Sequence, residues 1–348
     1  MPAGFKYSDV GLFIIFPHSK SKMNTLILQA LLPLVLAQYQ AIPPITGQIS
    51  EDIAFSGNGQ FLVACYFSAY QLNIYENTGS GFGLLIQLPT TFQPYTVAVN
   101  YDGSRVYALF DQIAIYERVN GIFTNVHSID DGELYITSQV SRQEEMLVLS
   151  TSSGKIVIYD KNHAVVQSIS SSSGSLKAAS ASDDFTLLAG GGYANEVKIY
   201  KNVAGTFVYQ QTLAIGFVPY HIEISRETLI IAGYSSFLLI YSNPGSDYAL
   251  SQNISLAASA VDEFIVSDDF SKITLGASAN LKEYTKASGV YAETYSEGMG
   301  AGISKVLTDS THHYVVLLGS YADIYVLYTC PSSCGSCSFP NNCSSCLG

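Results

Sequence analysis

The 348-residue sequence predicts an all-β fold made of seven copies of one four-stranded unit, on three observations. Seven tyrosines recur at intervals of 41, 43, 41, 41, 43 and 41 residues: Tyr75, Tyr116, Tyr159, Tyr200, Tyr241, Tyr284 and Tyr325. Isoleucine precedes all of them except Tyr284. Short β-branched and aromatic runs precede these tyrosines. Charged residues make up 13% of the chain, about half of the ~25% usual in globular domains.

A period near 40 residues is typical of propellers and of helical arrays, and the residue types separate the two. Runs such as 61–67, 228–234 and 314–320 are six or seven residues long and are bounded by Gly, Ser, Asp and Asn, as strands are. No helical period of 3.6 persists through a repeat. The sequence therefore predicts a seven-bladed β-propeller.

Each repeat divides into four predicted strands, which in the fourth repeat are residues 176–181, 185–189, 196–201 and 207–213. Turn-forming residues separate the first two strands, and the same slot is occupied in other repeats: Ser182-Asp183-Asp184, Asn58-Gly59, Asp102-Gly103 and Ser267-Asp268-Asp269. The second strands are apolar on both faces. A propeller explains this pattern, because each sheet is covered by two neighbouring sheets.

The seventh repeat lacks a fourth strand. Six repeats have one after their tyrosine, at residues 83–88, 123–129, 164–170, 207–213, 248–256 and 290–296, whereas Cys330 follows Tyr325 within five residues. An unpaired strand edge promotes aggregation. We predict that residues 38–47 supply the missing strand and close the ring, with Pro43 and Pro44 confining that strand to the sheet edge.

Over residues 49–328 the chain resembles the WD40-like and YVTN-like propeller families. Ile158-Tyr159-Asp160 and Ile74-Tyr75-Glu76 stand where a WD40 repeat carries Trp-Asp. The resemblance lies in the architecture, since the chain has no tryptophan and no Gly-His dipeptide opens a repeat.

The N-terminal region has the layout of a secretory signal peptide. Lys20-Ser-Lys-Met precedes an apolar run at 26–36, and Val35-Leu36-Ala37 predicts cleavage after Ala37. We expect an upstream extension at 1–22, a signal peptide at 23–37, the propeller at 38–328 and a cysteine-rich tail at 329–348. The apolar run is too short to span a bilayer, and no later segment qualifies. The chain is therefore expected to be secreted or held at the cell surface.

The tail contains five of the six cysteines: Cys330, Cys334, Cys337, Cys343 and Cys346. Their spacing resembles the furin-like or growth-factor-receptor cysteine-rich repeat found in secreted and surface proteins, including those of ciliates, and this implies disulfides. A zinc site built from two Cys-x2-Cys pairs is the alternative. Five cysteines cannot all pair, so one stays reduced, Cys65 joins, or the module is incomplete here and continues beyond Gly348, where the tail pairs with a further cysteine-rich module. Cys65 lies in an apolar run and is expected to be a buried thiol.

Net charge −12 and the lack of a Lys/Arg cluster exclude phosphate-backbone binding, so no nucleic-acid partner is expected. Asn253 in an outermost strand is a predicted glycosylation site, and Asn342 is a weaker one. The acidic pairs at 130, 183 and 268 are expected to form turns.

Four polar residues near the starts of inner strands are candidates for a channel site: His221, Glu51, Glu133 and Asp262. Together they could hold Ca²⁺ or another divalent cation, as in propeller lactonases, and polarise a substrate carbonyl. Against this hydrolase hypothesis, we find no recognised catalytic motif in the sequence. The favoured prediction is a non-catalytic binding or scaffold protein without a cofactor, which presents tyrosine-rich loops to a protein or a glycan.

Overall fold

A computed structural model describes residues 40–45, 51–79, 81–141, 146–171, 174–233, 235–245, 247–256, 261, 263–277, 280–298, 303–308, 314–319, 324–328, 334–339 and 342–346. The chain divides into two units, 1–38 and 39–348, and every described residue belongs to the second. The predicted signal peptide, the upstream extension and Asp262 lie outside the described residues. In the described part, no helix is long and apolar enough to cross a membrane.

The described residues form seven four-stranded antiparallel sheets and one two-stranded sheet. The first four blades consist of β2 (Asp52–Phe55), β3 (Phe61–Tyr66), β4 (Gln71–Asn77), β5 (Phe82–Pro89); β6 (Thr96–Val99), β7 (Arg105–Leu109), β8 (Ile113–Val119), β9 (Ile122–Ile129); β10 (Tyr135–Val140), β11 (Leu147–Thr151), β12 (Lys155–Tyr159), β13 (Val165–Ser170); and β14 (Leu176–Ala181), β15 (Leu187–Gly192), β16 (Glu196–Val203), β17 (Thr206–Ala214).

The remaining blades consist of β18 (Pro219–Ile224), β19 (Thr228–Gly233), β20 (Phe237–Ser242), β21 (Ala249–Ser255); β22 (Phe264–Val266), β23 (Lys272–Ala277), β24 (Asn280–Ala287), β25 (Val290–Gly298); and β26 (Ile303–Thr308), β27 (Tyr314–Gly319), β28 (Ile324–Tyr328), β1 (Gln40–Ile45). The tail holds β29 (Cys334–Phe339) and β30 (Asn342–Cys346). The first strand of each blade contacts the first strands of both neighbours, and β26 contacts β2. The prediction of an all-β, seven-bladed propeller is confirmed.

The seventh blade is completed by the N-terminal strand. β1 pairs antiparallel with β28, and Gln40 lies opposite Tyr328. The register shifts between Ile42 and Ile45, where the two prolines stand, and β1 occupies the sheet edge. Proline cannot donate to a ladder, so the edge is where such a strand fits. The predicted closure of the ring by an N-terminal strand is confirmed over Gln40–Ile45.

The sheets of blades two to five bury both of their faces against neighbouring blades. In β11, Leu147 and Leu149 pack with Ile115 of the second blade, whereas Val148 packs with Leu188 of the fourth. Alternate side chains of a strand point to opposite faces, so one strand contributes to two cores. Burying each such side chain stabilises the fold by about 1.5–3 kcal/mol. This accounts for the two-sided apolar runs and for the low charge content.

The turns between first and second strands are longer than the sequence predicted. The Ser182 hydroxyl donates to Asp184 Oδ1 at 2.8 Å and accepts a bond from the Leu187 amide at 3.0 Å. Phe185 has a φ of 54° within this turn, so β15 begins at Leu187 and not at 185. The Phe185 ring packs edge-on against Phe207 at 5.1 Å. The acidic pair at 183 therefore forms a turn, as expected.

Glutamines on the outer strands of blades three, four and five fasten each of these blades to the next one. Each side-chain amide donates to a backbone carbonyl and accepts from the amide of the same aromatic residue at 2.7–2.9 Å: Gln167 with Phe207, Gln211 with Tyr248, and Gln252 with Tyr291. The three aromatic residues are buried. We call these pairs the glutamine clamps.

Replacing Gln211 with alanine is expected to lower the free energy of unfolding by about 1–3 kcal/mol, because two backbone groups of buried Tyr248 lose their partners. Urea denaturation followed by far-UV circular dichroism measures the change. Gln87→Ala, on the exposed outer strand β5, is the matched control and should shift the midpoint little. Equal midpoints for the two variants would show that the clamps add nothing to stability.

Candidate functional site

The propeller has two ends with different connections. Strands within a blade are antiparallel, so the connection into the first strand and the one between second and third strands share one end. Hydrogen bonds link neighbouring first strands near their starts, from Thr96 Oγ1 to Asp52 Oδ2 at 2.7 Å. Turns at the other end are linked by the Asn58 amide and the Tyr101 carbonyl at 3.0 Å. We call the end at which the first strand of each blade begins the first face.

A central cavity of about 450 Å³ is lined by residues of all seven first strands. Near the first face it holds five linked ionisable side chains. Lys305 Nζ lies 2.6 Å from Asp52 Oδ1 and 3.9 Å from Glu263 Oε1. His221 lies between two carboxylates, with Nδ1 3.4 Å from Glu263 Oε1 and Nε2 3.2 Å from Glu223 Oε1. These five side chains are only 11% to 22% exposed.

Neutral polar groups extend this chain around the rest of the channel. Thr96 Oγ1 lies 3.4 Å from Ser138 Oγ, the Ala181 amide donates to Gln139 Oε1 at 2.7 Å, and Ser180 Oγ lies 3.5 Å from Glu223 Oε2. Each of the seven blades thus contributes to one circle of contacts, which we call the polar belt: Asp52, Thr96, Ser138, Gln139, Ser180, His221, Glu223, Glu263 and Lys305. Because the belt is buried, each of its charged side chains is stabilised by its charged and polar neighbours and little by water.

The belt shifts the pKa values of its own members. Burial acts against the charge of His221, but Glu263 and Glu223 outweigh it, so the pKa of His221 is raised. Burial raises the pKa of Glu263 although Lys305 and His221 oppose the shift. Burial also opposes the charge of Lys305, yet Asp52 and Glu263 raise its pKa. Carboxylates at both ring nitrogens favour the imidazolium form of His221, which has no lone pair for a metal ion.

Stability is expected to depend on pH through His221 and Glu263. Both hold a proton more tightly in the folded state, so their contribution is complete at low pH and is lost as pH rises through each folded pKa. His163 has a lowered pKa, through burial and then Arg105, and contributes the opposite slope. A His221→Gln variant therefore isolates the effect. The difference in melting temperature between wild type and variant should shrink from about pH 5 to about pH 8. A constant difference would exclude His221 as the group responsible.

The predicted channel candidates are only partly brought together. His221 lies in the belt, and Glu51 lines the channel mouth with an exposed side chain. Glu133 does not join them, because it pairs with Lys155 and accepts from Ser153 at 2.5 Å in the connection before β10. Asp262 lies outside the described residues. Within the described ranges, no group of three or more His, Cys, Asp or Glu side chains could hold a metal ion.

Several belt residues were not predicted as site residues from the sequence: Asp52, Glu223, Glu263 and Lys305. The repeat spacing contains a signal for part of the belt, because Thr96, Ser180, His221 and Lys305 each precede their repeat's tyrosine by 20 residues. Comparing that single position across repeats would have identified Lys305. Cys65 opposite Asp52 is a buried thiol, as expected, and burial followed by Asp52 raises its pKa.

Comparison with known proteins identifies the architecture. No protein-family model and no curated protein sequence matches the chain. Among solved structures, a chain of the "Crystal Structure of Mitotic Checkpoint Complex" superposes with a TM-score of 0.71, covering 92% of this chain and 100% of that chain at 11% identity. The fold is a WD40-like β-propeller. In all, 1831 solved chains match, and a fold so widely shared does not select a function.

The first face of the propeller carries exposed aromatic side chains on four blades. Tyr70 and Tyr193 lie between second and third strands, Phe237 opens β20, and Tyr95 precedes β6. Their exposed fractions run from 40% to 56%. Lys177 Nζ lies 5.0 Å from the centre of the Tyr193 ring. Exposed tyrosines on short connections offer rigid contact area at low entropic cost, which favours a binding surface.

Proposed function

We propose that this chain is a secreted or cell-surface, non-catalytic binding protein that engages a partner protein through its first face. The observation that carries the proposal is the group of exposed aromatic residues from four blades, on connections held by a rigid propeller. Aromatic side chains are enriched at the centres of protein interfaces, where they contribute most of the binding energy. The matched solved structure is, by its title, a protein complex, which supports a protein partner here.

The channel favours a structural function over catalysis. His221 faces carboxylates at both nitrogens, and Lys305 bridges one of these, Glu263, to Asp52. These charges are directed at one another across blades, and such cross-blade pairs fix the geometry of the ring. We therefore propose no cofactor. Elemental analysis of the purified protein should find no stoichiometric divalent cation; a stoichiometric ion that is lost in His221→Ala would support the hydrolase alternative instead.

Secretion is supported by the signal-peptide layout and by the cysteine-rich tail. In the tail hairpin, Cys334 lies opposite Cys346 and Cys337 lies opposite Cys343. Residues at opposite positions in an antiparallel pair have Cα atoms about 4.5–5.5 Å apart, within the range of disulfides. We propose these two cross-links, which leave Cys330 for a further cysteine-rich module. Mass spectrometry of the unreduced protein recovered from the medium tests both the pairing and an N-terminus at Gln38.

The binding proposal is tested by affinity capture from culture medium and from cell surfaces with residues 38–348 as bait. The first-face variant carries Tyr70→Ala, Tyr193→Ala and Phe237→Ala. Its matched control carries changes at equally exposed outer-strand positions: Tyr209→Ala, Leu250→Ala and Val166→Ala. A protein retained by wild type and control but lost from the first-face variant is expected. Retention by both variants would overturn the proposal, and loss after glycosidase treatment of the extract would identify a glycan partner.

A further inference from the structure

The first face carries apolar side chains on neighbouring connections of blades one to three. We call it the aromatic patch, and it consists of Phe67, Tyr70, Tyr95, Phe110 and Leu134. Tyr70 is 46% exposed, Tyr95 45% and Leu134 42%. Isolated exposed apolar residues are ordinary on protein surfaces, whereas a contiguous group of this kind marks an interaction site.

Ring contacts join three members of the patch, and backbone bonds hold the connections that carry the other two. The Phe110 ring packs against Tyr95 at 5.6 Å and against Phe67 at 5.9 Å between ring centres. The Tyr135 amide donates to the Phe110 carbonyl at 2.7 Å, which places Leu134 beside Phe110. The Thr90 amide bonds to the Tyr70 carbonyl at 2.8 Å and fixes that connection. The patch is therefore held by backbone bonds in short connections and is preorganised for binding.

Carboxylates border the patch on the second and third blades. Asp111 follows Phe110 in the chain, and Asp130 and Asp131 precede Leu134; all three are exposed. The Asp131 carboxylate accepts bonds from two phenols, Tyr135 at 2.7 Å and Tyr159 at 2.9 Å, and these hold it in place. Glu133 is a fourth carboxylate, paired with Lys155. Four carboxylates against one ammonium give this border a negative potential.

We infer that the aromatic patch and its acidic border bind a basic segment of the partner protein that carries an apolar anchor side chain. The inference rests on the proposed function and specifies the chemistry of the partner. Aromatic rings at the centre would bury the anchor, while Asp111, Asp130 and Asp131 would pair with lysine or arginine around it. Complementary charge raises the rate of association and rejects acidic segments.

The test uses a fluorescent twelve-residue peptide of alternating lysine and leucine as the probe, with residues 38–348 of this chain as the receptor. A peptide with glutamate in place of lysine is the matched probe. Fluorescence anisotropy is expected to show binding of the lysine peptide that weakens with added salt, and at least tenfold weaker binding of the glutamate peptide. Equal affinity for both peptides would overturn the inference.

Two variants locate the binding on the receptor. Asp111→Lys combined with Asp130→Lys is expected to weaken binding of the lysine peptide about tenfold, and Tyr95→Ala is expected to weaken it severalfold. The control is Glu227→Lys combined with Asp247→Lys, which makes the same charge change at exposed positions on the opposite end of the fifth blade. Circular dichroism melts confirm that each variant folds. An equal loss in the control and the patch variant would show binding to net charge alone and would overturn the inference.

Failure of this inference can be told apart from failure of the proposed function. Suppose that a captured protein is lost from the first-face variant but retained by the Asp111→Lys, Asp130→Lys variant. This result would support the proposed function and overturn the inference of a basic segment. A captured protein that competes with the lysine peptide would support both.

Discussion

Removing residues 38–47 from the secreted chain is expected to abolish its cooperative unfolding transition. β1 is the only partner of β28 on that side of the seventh sheet within the described residues. Without β1, β28 becomes an open edge and the seventh blade is left with three strands. The first and seventh blades would then be held together by the contacts of β26 and β27 with β2. Far-UV circular dichroism during heating, with light scattering for aggregation, measures the outcome.

A ten-residue deletion at the other end of the chain, 339–348, is the control of equal length. It leaves all seven blades intact and is expected to retain the transition. A synthetic peptide of residues 38–47 added to the shortened chain should restore part of the transition, because an extended peptide can add to an open sheet edge. An unchanged melting curve after removal of 38–47 would refute closure by β1.

Lys305→Met is expected to destabilise the propeller by about 3–5 kcal/mol, the cost of leaving a buried carboxylate without its partner. Asp52 and Glu263 both face Lys305, and the three side chains are at most 22% exposed. Methionine fills similar volume but carries no charge, so the two carboxylates would repel each other. Urea denaturation at neutral pH gives the change in free energy.

Lys177→Met is the matched control, since Lys177 also lies on a first strand near the first face but contacts the Tyr193 ring instead of a buried carboxylate. Its expected effect is below about 1 kcal/mol. Adding Asp52→Asn to Lys305→Met should recover part of the loss, because the unpaired charge is then removed. No recovery in the double variant would mean that Lys305 acts through packing and not through its charge.

The blade count and ring closure could be predicted from sequence because both are recorded in spacing. Tyr75 and its six equivalents repeat with the blades, and the missing fourth strand after Tyr325 requires a donor from elsewhere. The exact positions of channel side chains could not be predicted in the same way. Glu51 and Asp52 are adjacent, yet only Asp52 bonds to Lys305, because a shift of one residue along a strand reverses its side chain.

Contacts between blades could not be predicted from the sequence either. Gln211 and Tyr248 are 37 residues apart, and nothing in the glutamine itself separates a clamp from an exposed surface residue. The aromatic patch combines residues from three blades, so its continuity depends on how neighbouring sheets pack. Expectations about the signal peptide and Asp262 concern residues outside the described ranges and stay predictions.

The pairing of β1 with β28 also sets an orientation. Tyr328 ends the third strand of its blade, and that end lies away from the first face, as does Gln40 opposite it. The chain thus leaves the ring toward its tail on the side remote from Tyr70 and Tyr95. A tether through the cysteines would aim the aromatic patch outward, away from whatever surface holds the molecule.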